Sequence, residues 1–376
     1  MSTAEATRSP STPGSLSESE IRGWLQESEP AKLQELWRWA DGVRLREVGD
    51  AVYLRGLVEI ANHCRETCLY CGLRAPNRAV KRYRLDDETI MTTARETTRR
   101  GYGTLVLQAG EDPGLDAERI GGLISRIKRE TDLAVTLSLG ERSVDDLCLW
   151  RAAGADRYLL RFESSSQTLR DRLRPSAAGR TPDRLDQLET LRSLGYEVGS
   201  GFLVGVPGQT LEDLARDIAL AGSLNLHMVG VGPWIPDPDT PLWDERHDSE
   251  LLTPTDRDGE VPPGLAFIAR VISLTRLACP RANMPATTAL ETLAPGLGWR
   301  TGLACGANVL MPTLTPAEAR AAYRIYPSSL RYAASRPVTP EALIRAAGRR
   351  VGSGRGDSPA YVNAPRRCHR ERVCPP

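Results

Sequence analysis

Three cysteines, Cys64, Cys68 and Cys71, stand in the pattern Cys-x3-Cys-x2-Cys within the segment ANHCRETCLYCGLR. Thiolates are the usual protein ligands of iron-sulfur clusters, and a single loop can wrap three of them around one 4Fe-4S cube. Three ligands for four irons leave one iron open. The amino and carboxylate groups of a methionine moiety can chelate that iron and bring a sulfonium beside the cluster, the arrangement for one-electron cleavage of S-adenosylmethionine (SAM). Zinc is the competing reading, but structural zinc needs four closed ligands and the fourth candidate, His63, is the immediate neighbour of Cys64.

Such a loop has to be held by a scaffold, and the pattern around it describes one. Short apolar runs at Leu57–Ala61, Thr104–Gln108, Ala134–Ser138, Arg157–Arg161, Gly201–Gly205, Met228–Gly232, 281–284 and Ala307–Met311 read as strands. Amphipathic segments near 86–101, 116–130, 143–153, 181–194, 210–223 and 262–278 read as helices, with turns around 288–293 and a last helix near 316–323. Eight strands alternating with helices predict a (β/α)8 TIM-type barrel over 51–348. Barrels of this kind carry their chemistry on the loops after the strands, and Cys64, Gly110-Glu111 and Glu163 stand just after a run while Met311 ends the eighth. Residues 17–50 read as a helical segment, 1–16 as a disordered leader and 349–376 as a mobile tail.

The chain has 376 residues, 40% hydrophobic and 26% charged, with 49 basic and 48 acidic side chains. This balance gives no field to attract nucleic acid or an anionic membrane, and no apolar run is long enough to span one. A small-molecule substrate is expected, in a cytoplasmic setting because the N-terminus lacks the apolar core of a secretory signal. Cys148, Cys279, Cys305, Cys368 and Cys374 are scattered and read as packing residues. Cys368 and Cys374, with His369 between them, are a weaker second metal candidate.

The triplet with Tyr70 before its last cysteine resembles the motif of the radical SAM superfamily. VYLRGLVEIANHCRETCLYCGLR, LQAGED, AGADRYLLR, LVGVPGQT, MVGVGPWIPDPDTPL, MPATTAL and GANVLMP further resemble the FeFe-hydrogenase maturase HydE family, relatives of biotin synthase and methylornithine synthase. The resemblance runs over about residues 52–327. It implies that Cys64, Cys68 and Cys71 hold the cluster. It places Gln108, Gly110 and Glu111 where the superfamily holds the SAM amino group, Glu163 near the ribose and amino group, and Arg184 at the methionine carboxylate. Tyr70, the Val206–Thr210 turn, Pro233 and Ile235 would also contact SAM, although Thr210 suits a helix N-cap equally well. Arg161, Thr287, Thr288 and Met311 would face the substrate, with Tyr323 and Tyr326 near the cavity mouth. A one-electron reductant of the flavodoxin or ferredoxin type is implied as partner.

Two positions depart from the family. Ala109 stands where the maturases usually carry Ser, and Phe162 where they carry His. If both face the pocket, they alter which polar substrate is tolerated. Two readings stand beside the maturase-like one: a mutase or lyase of the methylornithine-synthase type, and an iron-sulfur scaffold without turnover. The joint presence of Glu111, Glu163 and Arg184 favours an enzyme over a scaffold.

Overall fold

Eight parallel strands form the barrel wall: β1 (Ala51–Glu59), β2 (Thr104–Gln108), β3 (Ala134–Ser138), β4 (Arg157–Leu159), β5 (Glu197–Val204), β6 (Met228–Pro233), β7 (Pro285–Ala286) and β8 (Val309–Leu310). The computed structural model describes residues 16–175, 183–243, 264–325, 327 and 338–362. The expected leader apart from Leu16, residues 244–263, Tyr326, Cys368, His369 and Cys374 lie outside them. The strand order is β6-β5-β4-β3-β2-β1-β8-β7. A bridge between Met228 and Asn283 joins the two ends, with Val229 N–H donating to the Asn283 carbonyl at 2.9 Å, so the wall closes as the TIM-type reading expects.

Strand pairing is in register at the mouth, with Glu59 beside Gln108 and Gln108 beside Ser138. The outer faces of the strands and the inner faces of the helices share one apolar core. The helical N-terminal segment is two helices, because Pro30 cannot continue a preceding helix and opens a new one. Glu18–Gln26 starts on a Ser17–Glu20 capping box, and Pro30–Val48 ends at Gly49. Both pack against Leu265–Ala278. Among the described residues, no helix is long and apolar enough to cross a membrane.

The tail reading from 349 onward does not hold for residues 349–362. Arg350–Val351 forms β9 and pairs with Ala51 and Val52. The following turn then closes the barrel floor. There Arg157 is fully buried, pairs with Glu197 and Asp357, and donates to the Arg355 carbonyl at 2.9 Å. Arg55 and Asn283 both donate to the Gly356 carbonyl, at 3.2 and 2.9 Å, and Ser358 N–H donates to Glu197 at 2.8 Å. Burial, then the Arg157 charge, pulls Arg55 down to about 9. Two guanidiniums and two carboxylates thus neutralise each other at a largely buried floor, with Asp357 partly exposed. Asp357→Asn should remove about 1–3 kcal/mol of stability, a partly exposed pair being worth less than a fully buried one, and thermal unfolding checks this. An unchanged midpoint would mean that the floor is held without this charge.

Candidate active site

Between 60 and 85 the backbone makes only one antiparallel bridge, Ala61 with Arg84, so the cysteine loop is held mainly by side-chain bonds. Arg82 donates to four carbonyls, those of Asn62, Leu73, Arg74 and Asn77, at 2.6–3.2 Å. The Asn62 amide reaches the Lys81 and Ala322 carbonyls at 2.9 and 2.8 Å. Leu69 N–H donates to the Leu173 carbonyl at 2.9 Å, beside a small apolar cluster containing Trp234 and Leu242. Gly110 lets β2 press against this loop. A Cβ there would lie 2.6 Å from the His63 carbonyl and 2.9 Å from Cys64 Cβ, so only glycine fits.

Burial pushes the Cys64 thiol up to about 11, and it raises Cys68 and Cys71 as well. The charge of Cys68 adds to the upward shift of both Cys64 and Cys71. The charges of Arg174 and Arg184 act against that rise at Cys68. Among the described residues, no three His, Cys, Asp or Glu side chains gather around a single ion, and His63 interacts with Arg84 and Asp112 instead. A 4Fe-4S cube takes three thiolates, one to each of three irons, and needs no fourth protein ligand.

Four carboxylates and three guanidiniums converge beside these sulfurs. Arg184 donates to Glu141 at 2.7 Å, to Glu111 at 3.0 Å and to the Arg161 carbonyl at 2.6 Å, and it stands 3.6 Å from Glu163. Arg174 donates to Glu141 at 2.9 Å and lies 3.5 Å from Glu66. Tyr70 hydroxyl donates to Glu163 at 3.1 Å. Burial raises the Glu111 carboxyl, and the charges of Arg184 and Arg174 only partly offset it. For Glu141 burial also acts upward, but Arg184 and Arg174 outweigh it and hold the carboxyl below its usual range.

Several of these groups are buried without a hydrogen-bond partner: Glu163 Oε2, Glu141 Oε2, Arg174 Nε and both Nε and Nη2 of Arg161. Arg161 Nη2 and Glu163 Oε2 are 3.0 Å apart, close enough for an ion pair but not aligned as a hydrogen bond. Unmet buried donors and acceptors are costly unless a ligand completes them. The set beside the thiols fits an aminocarboxylate with an adjacent positive charge, since anionic groups outnumber cationic ones.

The other expected positions stand at the same end of the barrel with differing roles. Gln108 Nε2 donates to the Tyr323 hydroxyl at 3.0 Å, and Tyr323 is buried. Pro233 ends β6 and Ile235 follows two residues later. Thr287 caps helix Thr288–Leu293, accepting from Leu290 N–H at 3.2 Å, so its hydroxyl is already engaged; Thr288 and Met311 are half-buried. Thr210 is an N-cap in a capping box with Asp213, which accounts for that hydroxyl. Glu66, Glu141 and Arg174 were not expected. Glu141 was nevertheless legible: Gly140-Glu141 follows β3 at the same offset as Gly110-Glu111 follows β2.

Residues 58–221 match the family model described as the radical SAM superfamily. The chain is 43% identical over 297 residues to the [FeFe] hydrogenase maturase subunit HydE of Thermotoga maritima, covering 79% of this chain and 80% of that protein. The chain belongs to the radical SAM superfamily, in the HydE family. It is also 27% identical to 3-methylornithine synthase of Methanosarcina acetivorans over 80% of each chain. Its fold matches the crystal structure of methylornithine synthase with a TM-score of 0.74 at 23% identity, covering 90% of this chain and 94% of that one. This radical SAM enzyme uses a 4Fe-4S cluster that, once reduced, splits SAM into methionine and a 5′-deoxyadenosyl radical.

Of the two departures from the family, Phe162 is 1% exposed and packs against Phe202 in the main core, ring centroids 5.9 Å apart. Ala109 is half-buried beside Gly110 and touches the edge of that core.

Proposed function

We propose that Cys64, Cys68 and Cys71 ligate the cluster and that Glu111, Glu163 and Arg184, with Glu141 and Arg174, hold SAM against it. The observation that carries this reading is the set of buried groups without a hydrogen-bond partner on Glu163, Glu141, Arg174 and Arg161 beside the cysteine loop, to which Tyr70 joins Glu163 at 3.1 Å. Tyr70 orients Glu163, and Gln108, Pro233 and Ile235 complete the SAM-facing wall. Arg161, with Thr287, Thr288 and Met311 on the neighbouring loops, faces a small sulfur- or amino-acid-derived substrate and offers unpaired donors to its carboxylate. The role is in hydrogenase cofactor maturation, supported by 43% identity to the maturase against 27% to methylornithine synthase. A flavodoxin or ferredoxin delivers the electron, and the enclosed barrel keeps water from the reactive species.

The test is anaerobic reconstitution with iron and sulfide, followed by reductant and SAM. Formation of 5′-deoxyadenosine is expected, and none from an intact cluster would overturn the enzyme reading. Substrate placement has a separate test. A Cβ at Gly232 would lie 2.7 Å from the Arg161 guanidinium. Gly232→Ala must push that side chain aside, so substrate-dependent turnover should fall about 10-fold while SAM cleavage without substrate persists. Equal loss of both would remove Arg161 from the substrate wall.

A further inference from the structure

Glu163 holds φ at +68°, one of two non-glycine residues with positive φ among those described. A left-handed backbone at a side-chain-bearing residue persists only where its surroundings over-determine it. Glu163 N–H donates to the Gly201 carbonyl at 3.1 Å, and its own carbonyl accepts from Leu203 N–H at 2.9 Å. The next two residues are gripped from outside the barrel by Asp217, on helix Leu211–Ser223. This carboxylate is fully buried and accepts from Ser165 N–H and, at 3.1 Å, from the Ser164 hydroxyl. Gln209 Nε2 reaches it at 3.3 Å, donates to the Leu203 carbonyl at 2.9 Å, and Gln209 Oε1 accepts from Gly205 N–H at 2.8 Å.

We propose that Asp217 is a positioning residue for SAM binding: it ties the turn after β4 to the turn after β5 and so aims the Glu163 carboxylate at the cofactor. Ordinary packing does not account for an anion here. Asp217 has no cation partner among the described residues, and burial pushes its carboxyl up to about 6. What it gathers is three neutral donors from two loops, the number needed to fix their spacing. In front of it, Glu163 meets Tyr70 at 3.1 Å and stands 3.6 Å from Arg184. The inference rests on the reading that Glu163 contacts SAM.

The experiment measures the SAM dissociation constant of cluster-loaded enzyme by calorimetry, with iron content and thermal midpoint determined in parallel. Asp217→Ala should weaken SAM binding about 10-fold at unchanged iron content, and Asp217→Asn, which keeps an acceptor, should weaken it less. The deciding arm is a double-mutant cycle, because a residue acting through Glu163 has no separate effect once Glu163 is neutralised. The double variant of Asp217→Ala with Glu163→Gln should bind SAM no more weakly than Glu163→Gln alone. Additive losses would show that Asp217 acts elsewhere and overturn the proposal. If Asp217→Ala does not fold, Ser164→Ala takes its place in the same cycle. Should Glu163→Gln leave binding unchanged, the reading of Glu163 itself fails; should it weaken binding while Asp217→Ala and Ser164→Ala do not, only the positioning role fails.

Discussion

Cys68→Ala is expected to lose the 4Fe-4S absorbance and the release of 5′-deoxyadenosine together, by more than about 100-fold in SAM cleavage. Disrupting only the outer partners of a metal ligand typically lowers affinity or activity 10–100-fold, so removal of a ligand should exceed that range. The fold should survive, because the loop is held by Arg82, Asn62 and the packing of Leu69, none of which involves the Cys68 sulfur. Cys305→Ala is the matched control. Its thiol is buried beside Ser273, and losing it should cost about 1–2 kcal/mol of stability while iron content and SAM cleavage stay intact. Iron and sulfide analysis with product chromatography checks both variants. Equal loss in the two would mean that the cluster is held by other residues.

That loop was readable because its chemistry lies in residue type and spacing, which folding does not alter. Strands β2 and β3 were readable to the residue for a similar reason: each is an unbroken buried run, ending at Gln108 or Ser138 on the barrel mouth. Strands β1 and β5 were read six and four residues short at their starts, and both errors have one cause. Arg55 interrupts the apolar pattern of β1 and Glu197 that of β5, and both point into the barrel floor, where the turn after β9 supplies their polar partners. A buried ion network looks like a surface segment when only hydropathy is read, and its partner lay in what composition described as a tail.

The same limit applies at the mouth. Glu141 shares Arg184 with Glu111 and also holds Arg174; its Gly-Glu step after a strand can be read from sequence, but one Arg among many has no signature. The direction of a side chain is the other missing quantity. Phe162 and Arg161 are sequence neighbours, but Phe162 packs into the core while Arg161 meets Glu163 at 3.0 Å. A departure from a family pattern therefore bears on substrate only after its face is known.

Arg184→Met should have the second large effect, and its dependence on pH identifies the cause. The guanidinium is 13% exposed and shared by Glu141 and Glu111, with Glu163 close by. Methionine keeps much of the volume but leaves four carboxylates facing two guanidiniums. Removing one member of a buried ion network costs about 3–5 kcal/mol, which corresponds to a fall in melting temperature of roughly 5 °C in a chain of this size. In the native protein Glu141 lies below its usual range, so its contribution is present above the unfolded pKa and is lost as pH falls through the lowered value. In the variant the sign reverses. Without Arg184 burial is less opposed at Glu141 and Glu111, so both carboxyls rise, and the stability they carry when protonated is lost as pH rises through the folded values. The gap between native and variant melting temperatures should accordingly be smaller at pH 5 than at pH 8. SAM cleavage should be lost at both pH values, because protonating the carboxyls relieves repulsion without restoring a cation for the methionine carboxylate. A gap independent of pH would mean that Arg184 contributes packing rather than charge, and would withdraw it from the cofactor site.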